Sequence, residues 1–355
     1  MNVLHRAVTH RGTRVFETTI VLSAYKHSYD TMGGSPRDWL AEHREQISSD
    51  PLRGLVHAVF TAYLGLWYTF TSRRPVGTHI YEENWDLLVI LDACRVDVLR
   101  EVASDYDFLD EVGTRWSVGS HSHEWLSQTF STDYADEIAN TTYVSGNGHT
   151  HETFVERDYP PDETVPFCRP NWRTVGTDAF GRLDTLWERA HQEELGVPPR
   201  AITDRTVEVA RESDPDRLIA HYMQPHIPYI EGALREDRTP TELEAGGWKL
   251  LESGDAEHDE VWDLYEENLR LVLDELEVLL ENVDAEEVVI TADHGNAFGE
   301  YTIYGHPEGM LLPCVRRVPW VTTSATDKEV FTTTGEYEGD GVDDIEDHLA
   351  DLGYL

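Results

Sequence analysis

Three short, largely apolar runs constrain the fold of this chain more than any other feature of its sequence. They span residues 85–91 (WDLLVIL), 218–222 (LIAHY) and 287–292 (EVVITA), and each includes β-branched residues or a continuous apolar stretch. Such runs are typical of strands buried on both faces of a parallel sheet. Apolar residues recur every three or four positions over residues 257–281, which predicts an amphipathic helix before the third strand. The order predicts a doubly wound α/β sheet, in which sites lie beyond the carboxyl ends of the strands.

The charge of the chain is strongly negative. Its 68 acidic and 28 basic residues give a formal net charge of −40, and only Lys26, Lys249 and Lys328 are lysines. This composition resembles that of proteins from salt-loving archaea, where molar salt shortens the screening length to roughly 3 Å. It also argues against a nucleic-acid partner, because phosphate backbones are bound through clustered Lys and Arg.

The N-terminal region predicts no membrane span. The uncharged run at residues 55–70 is shorter than the roughly 20 apolar residues that cross a bilayer. A buried or interfacial helix is favoured, with peripheral membrane contact left open. No cleavable secretion signal is recognised, so a cytoplasmic, high-salt location is expected. The three cysteines lack CxxC spacing, which favours a reduced interior without disulfides. We expect a helical N-terminal extension over residues 1–80, a catalytic domain over 81–325 and an acidic segment over 326–355 that closes in a short helix.

Ligand-type residues follow two of the predicted strands. Asp293 and His294 are adjacent after the third strand, where they could ligate one metal from a tight turn, and Gly295 would allow close backbone approach. The alternative is that Asp293 caps a helix and His294 only packs. Asp92 follows the first strand and could be a ligand or the N-cap of the next helix.

Hydroxyl and imidazole side chains supply the remaining chemistry. Ser117, Ser120 and Ser122 lie in one segment, and a serine needs a base or a metal to become a nucleophile. No GxSxG motif occurs. His226 lies between two prolines in PHIP, where it is either catalytic or structural. Arg95 either clamps an anionic group or pairs with Asp97.

Taken in order, the segments LDACR, GSHSHEWL, HYMQPHIPY and ITADHGNAFGE with YGH resemble the sulfatase-like branch of the alkaline phosphatase superfamily, as a haloarchaeal-type member. The resemblance covers about residues 80–325 and the final LGYL. It implies an α/β/α sandwich with a largely parallel, doubly wound central sheet. It also implies site residues with the following roles: metal ligands Asp92, Ser122, Asp293 and His294; catalytic residues Ser122, His226 and His306; substrate-binding residues Arg95 and His221.

Three departures from the family pattern limit which cofactor the chain is expected to bind. The CxPxR motif of formylglycine sulfatases is absent, since Cys168 begins CRPNW. Asp92 is followed by Ala93 rather than a second Asp, and no DxxxH pair accompanies His226. We expect one divalent metal ion, or two if His226 and His306 complete a second site. A His ligand favours zinc or manganese over calcium, with calcium and magnesium left open.

The expected activity is metal-dependent hydrolysis of a small-molecule or glycan sulfate or phosphate ester through a covalent ester on Ser122. Ser122 is preferred because it precedes the helix-like run HEWLSQTF, and Ser120 is then the N-cap or a turn residue. One alternative is a transferase that passes the group to a glycan or lipid alcohol. Another is a protein that binds an anionic glycan without turnover. Metal binding is expected to weaken below about pH 6.5, the reference pKa of histidine.

Overall fold

The fold is that of a computed structural model, which describes residues 51–162, 165–192 and 194–333 and the single positions 44 and 48. Most of the predicted N-terminal extension and the predicted closing helix lie outside the described residues. The strands are β1 Leu87–Leu91, β2 Gly113–Trp116, β3 Thr141–Ser145, β4 Arg182–Thr185, β5 Arg217–Tyr222, β6 Ala285–Thr291, β7 Ala297–Phe298, β8 Tyr304–Gly305 and β9 Arg317–Ala325.

The α-helices connect these strands in a strand-then-helix order over much of the chain. They are α1 Pro51–Thr71, α2 Val96–Val102, α3 Ser122–Thr129, α4 Ala135–Ala139, α5 His149–His151, α6 Trp187–Ala190, α7 Pro199–Ser213, α8 Glu231–Glu236, α9 Glu242–Gly246, α10 Trp248–Ser253, α11 His258–Leu280 and α12 Pro313–Arg316. A π-helical turn, Glu152–Glu156, continues directly from α5.

One largely parallel sheet of seven strands forms the centre of the described structure, in the order β2-β9-β6-β1-β5-β3-β4. The strands β6, β1, β5, β3 and β4 are all parallel. Only β9, which pairs with β6 and β2, runs antiparallel to its neighbours. The three predicted strands are therefore adjacent, since β1 lies between β5 and β6 and their carboxyl ends meet at one edge.

Helices cover both faces of the sheet, which confirms the predicted α/β/α sandwich. Leu87, Val89 and Leu91 of β1 face one apolar core, which includes residues of α2, α7 and α11. Leu88 and Ile90 face a second core, which includes residues of α3. Alternate residues of β1 are thus buried on opposite faces, as the continuous apolar run predicts.

The helix α1 packs beside the sandwich and presents one exposed apolar stripe. Leu64 and Tyr68 are buried against Val165. Five large apolar side chains are each more than half exposed: Leu52, Leu55, Val59, Leu66 and Phe70. Among the described residues, no helix combines the length and the apolar character needed to cross a membrane. The prediction of a buried or interfacial helix agrees with this placement.

Candidate metal centre and nucleophile

The ends of β1 and β6 and the start of α3 bring four predicted site residues together. Asp92 follows β1, Asp293 and His294 follow β6, and Ser122 is the first residue of α3. All four side chains are fully buried. Because β1 and β6 are parallel neighbours, their carboxyl ends place the two aspartates side by side.

The ligand atoms of these residues surround one point. Ser122 Oγ lies 3.3 Å from Asp92 Oδ2, 2.7 Å from Asp293 Oδ2 and 3.3 Å from His294 Nε2. His294 Nε2 lies 3.5 Å from Asp92 Oδ1 and 3.4 Å from Asp293 Oδ2. We call this group, Asp92, Ser122, Asp293 and His294, the serine centre.

Backbone contacts hold the turn after β6 in this geometry. Asp293 Oδ1 accepts hydrogen bonds from the amides of Ala93 (3.2 Å) and His294 (2.8 Å). A Cβ on Gly295 would lie 2.1 Å from the carbonyl oxygen of Cys314, so only glycine fits there. The Nδ1–H of His294 donates to the carbonyl of Gly295 at 2.8 Å, which leaves the Nε2 lone pair facing the serine centre.

Burial sets the protonation states at the serine centre. It lowers the pKa of His294 to about 3, so the imidazole is neutral and can act as a ligand. It raises the pKa of Asp293 above its usual value, because the buried site disfavours the charged carboxylate. Buried carboxylates are costly without a cation. A donor set of two carboxylates, one neutral imidazole and one hydroxyl therefore fits a divalent cation of the zinc or manganese type.

The same pKa values change the predicted pH limit of metal binding. The reference pKa of histidine suggested weakening below about pH 6.5. Because the pKa of His294 is about 3, its protonation does not begin at that pH. The raised pKa of Asp293 means that this carboxyl is protonated at a higher pH than an ordinary aspartate, and its protonation competes with metal binding.

Asn147 is a contact of the serine centre that the sequence did not predict. Its Nδ2 donates to Asp92 Oδ2 at 2.8 Å, and its Oδ1 accepts from the amide of His149 at 2.9 Å. The strand before it, β3, is fully buried between β4 and β5. Asn147 follows β3 and therefore lies at the same edge of the sheet as Asp92. The sequence signal that could have identified it is the short run TTYVS ahead of GNG, a strand followed by a turn.

His226 and His306 lie together beside the serine centre. Their Nε2 atoms are 3.0 Å apart, and the rings of His294 and His306 have centroids 4.5 Å apart. His226 Nδ1–H donates to the carbonyl of Ile227, so its Nε2 accepts a hydrogen bond from His306 Nε2–H. Burial holds the pKa of both histidines well below the usual value. The pair can share one proton or bind one cation.

His221, the predicted substrate contact, is buried next to the serine centre. It lies within β5, is fully buried, and its Nδ1 is 2.8 Å from the hydroxyl of Tyr143. Its Nε2 is 3.8 Å from Asp293 Oδ2, and Asp92, His221 and Asp293 offer ligand atoms within 4.8 Å of one another. His221 therefore lies beside the two carboxylates, and its predicted contact with substrate stays a prediction.

Arg95 pairs with Asp97, one of its two predicted roles, and Ser120 is not the N-cap of α3. Arg95 forms ion pairs with Asp97 and Glu300, both at 2.5 Å, so its guanidinium is already occupied in the way that the alternative interpretation proposed. The N-cap of α3 is His121, not Ser120. The amide and hydroxyl of Ser120 instead donate to Glu124 Oε2. Glu124 in turn forms a fully buried ion pair with Arg316 at 2.7 Å, which fixes the start of α3.

Solved structures to which the chain is similar are phosphoethanolamine transferases and sulfatases, which are members of the alkaline phosphatase superfamily. The C-terminal periplasmic domain of phosphoethanolamine transferase EptC from Campylobacter jejuni is 15% identical, over 67% of this chain and 78% of that one, with a TM-score of 0.42. The integral membrane lipooligosaccharide phosphoethanolamine transferase A from Neisseria meningitidis is 14% identical, over 81% of this chain and 58% of that one, with a TM-score of 0.44. A sulfatase from Bacteroides thetaiotaomicron gives 10% identity, coverage of 66% and 63%, and a TM-score of 0.37. No family model and no curated protein matches the chain.

Proposed function

We propose that this chain is a metal-dependent enzyme that cleaves phosphate or sulfate esters through a covalent ester on Ser122. The observation that carries the proposal is the position of Ser122 Oγ, within 3.3 Å of two carboxylates and one neutral imidazole. A serine with only a structural role does not need this set of neighbours. The same set is what an activated hydroxyl nucleophile requires.

Asp92, Asp293 and His294 would hold the divalent cation, which when bound supplies a Lewis acid that lowers the pKa of the Ser122 hydroxyl. The hydroxyl of Ser122 already donates to Asp293 Oδ2 at 2.7 Å, which gives its proton an acceptor. Ser122 is also the first residue of α3. The amide groups and the positive dipole end of this helix favour an anionic oxygen there.

The His226–His306 pair would serve the leaving group. As Ser122 Oγ bonds to phosphorus or sulfur, the bond to the leaving oxygen breaks. The neutral His306 would donate a hydrogen bond from Nε2–H to that oxygen, and the proton that Ser122 passed to Asp293 Oδ2 would leave with the departing alcohol. Water then attacks the ester, and Ser122 regains its proton. Asn268 donates to the carbonyls of His226 and Pro228, which holds this loop against α11 while the proton moves.

A transferase is the second candidate, and the exposed stripe of α1 favours it. On its buried side, α1 contributes Tyr68, whose hydroxyl lies 3.3 Å from His121 Nε2, next to Ser122. On its outer side, Leu55, Val59 and Leu66 are exposed. A helix that touches the site and presents apolar residues to solvent could bring a lipid or glycan-lipid alcohol to the covalent ester.

The test is product analysis with an aryl phosphate, an aryl sulfate and an aryl phosphodiester, each with and without glycerol, in molar salt with Zn²⁺ or Mn²⁺. Free phosphate or sulfate alone supports a hydrolase, whereas a glycerol ester supports a transferase. Ser122→Ala should abolish both products, and Ser127→Ala, a buried serine elsewhere on α3, should retain them. If the parent protein turns over none of these substrates but still binds anionic glycans, the proposal of an enzyme gives way to that of a binding protein.

A further inference from the structure

A second group of ligand-type side chains lies next to the serine centre. It consists of His123 on α3, His149 on α5 and Glu152 at the start of the π-helical turn, and all three are buried. We propose that these three residues, here called the histidine–glutamate site, bind a second divalent cation that is separate from the one at Ser122.

The geometry of the three side chains fits a single ion. One ligand atom from each residue lies within 4.8 Å of the others. His149 Nδ1 is 2.5 Å from Glu152 Oε2, since the two residues are three apart on one helical face. The rings of His123 and His149 are stacked beside each other, with an angle of 9° between their planes and centroids 5.1 Å apart.

The surroundings of His123 match those of a metal ligand. A bound imidazole commonly donates its other N–H to a carboxylate or a backbone carbonyl. His123 has such an acceptor at each nitrogen: Asp162 Oδ1 is 3.0 Å from Nδ1, and the carbonyl oxygen of Asp158 is 3.1 Å from Nε2. Whichever nitrogen binds the cation, the other still has a partner. The carboxylates of Glu152 and Asp162 balance the charge of a divalent ion.

The backbone is shaped to bring these groups together. Glu152 begins a π-helical turn, a form that is rare and found mostly at functional sites. Arg157 ends that turn with a left-handed φ of 65°. The chain then reverses, so that the Asp158 amide donates to the Glu152 carbonyl while the Asp158 carbonyl approaches His123.

Two imidazoles and one carboxylate select the class of ion. This donor set suits zinc or manganese, and three protein ligands leave a further position for water or a substrate oxygen. The competing account is a hydrogen-bonded network in which protons occupy the place of the metal. These two accounts predict different metal counts for the folded protein.

The experiment is equilibrium dialysis of the full chain against Zn²⁺ in molar salt with excess Mg²⁺, followed by elemental analysis. Glu152→Gln and His149→Gln should each bind one equivalent fewer than the parent. His151→Ala is the matched control, because His151 lies on the same helix but pairs with Glu156 and Glu188 near the surface. It should bind the same number of ions as the parent.

Asp293→Ala separates this proposal from the proposed function. That variant should lose the ion of the serine centre and keep the second ion, and Asp293→Ala with Glu152→Gln should lose both. Equal metal content in the parent, Glu152→Gln and His149→Gln would overturn the second site, whatever Asp293→Ala shows. If the variants do not fold, anomalous diffraction at the zinc edge from crystals of the parent decides the question. A peak among His123, His149 and Glu152 supports the site, and no peak there overturns it.

Discussion

Replacing Asn147 by alanine would remove the hydrogen bond that its Nδ2 donates at 2.8 Å to Asp92 Oδ2. Both side chains are fully buried, so water does not replace the lost donor. A hydrogen bond to a charged group contributes about 1.5–3 kcal/mol, and each 1.4 kcal/mol is about a factor of ten in affinity. We therefore expect the metal affinity of the serine centre to fall about ten- to a hundredfold, the range typical of residues that orient a ligand.

The assay is competition for Zn²⁺ with a chromophoric chelator at constant pH in molar salt. It is run on a Glu152→Gln background, so that it reports the serine centre alone. Asn140→Ala is the control, because Asn140 lies near the surface and its Nδ2 donates to the Asp136 carbonyl. Asn147→Ala also removes the acceptor used by the His149 amide, so its melting temperature is measured alongside. An unchanged zinc affinity in a folded Asn147→Ala protein would refute the role of Asp92 as a ligand held by Asn147.

Three further predictions concern the nucleophile, acid stability and salt. Ser122→Ala should lose several kcal/mol of transition-state stabilisation while keeping metal and fold, whereas Ser120→Ala should reduce activity only modestly. Initial rates of the two variants are compared. An inactive Ser120→Ala with an active Ser122→Ala would assign the nucleophile to Ser120. Burial lowers the pKa of His79 to about 4, whereas its unfolded value is about 6.5, so the unfolded chain binds more protons between these values. The free energy of unfolding should therefore decrease as the pH drops from about 6.5 to about 4. In urea unfolding at molar salt, His79→Gln should reduce this loss of stability; an equal dependence of unfolding free energy on pH in parent and variant would contradict it. Lowering the salt from molar to about 0.1 M lengthens the screening distance to about 10 Å. Because the formal charge is −40, repulsion between surface charges then increases and the melting temperature should fall. An unchanged melting temperature would argue against a halophilic origin.

The parts of the fold that sequence predicted are those whose signal is local. The strands β1, β5 and β6 each contain a short run of buried residues, and α11 has a clear helical period. Asp92, Asp293 and His294 could be assigned to one site because they follow two such runs, and carboxyl ends of parallel strands meet. No comparison tests the individual roles of these residues, so their roles remain predictions.

The parts that sequence missed depend on tertiary neighbours. The strand β3 reads TTYVS, and only its position between β4 and β5 buries its threonines and serine. His221 lies in the predicted strand 218–222, but only the tertiary structure shows that its ring packs beside Trp125 and Tyr143. Arg95 forms an ion pair with Glu300, which is more than 200 residues away in the sequence, and no local pattern indicates this partner.

The first turn of α3 explains how the two proposed cation sites can share one short helix. Consecutive residues of an α-helix point about 100° apart, because one turn takes 3.6 residues. Ser122 faces Asp92 and Asp293, His123 faces Asp162 and His149, and Glu124 faces Arg316. The buried Glu124–Arg316 pair therefore fixes the rotation of the helix about its axis, and that rotation sets where Ser122 and His123 point. Breaking this pair would disturb both sites together, although neither residue belongs to either one.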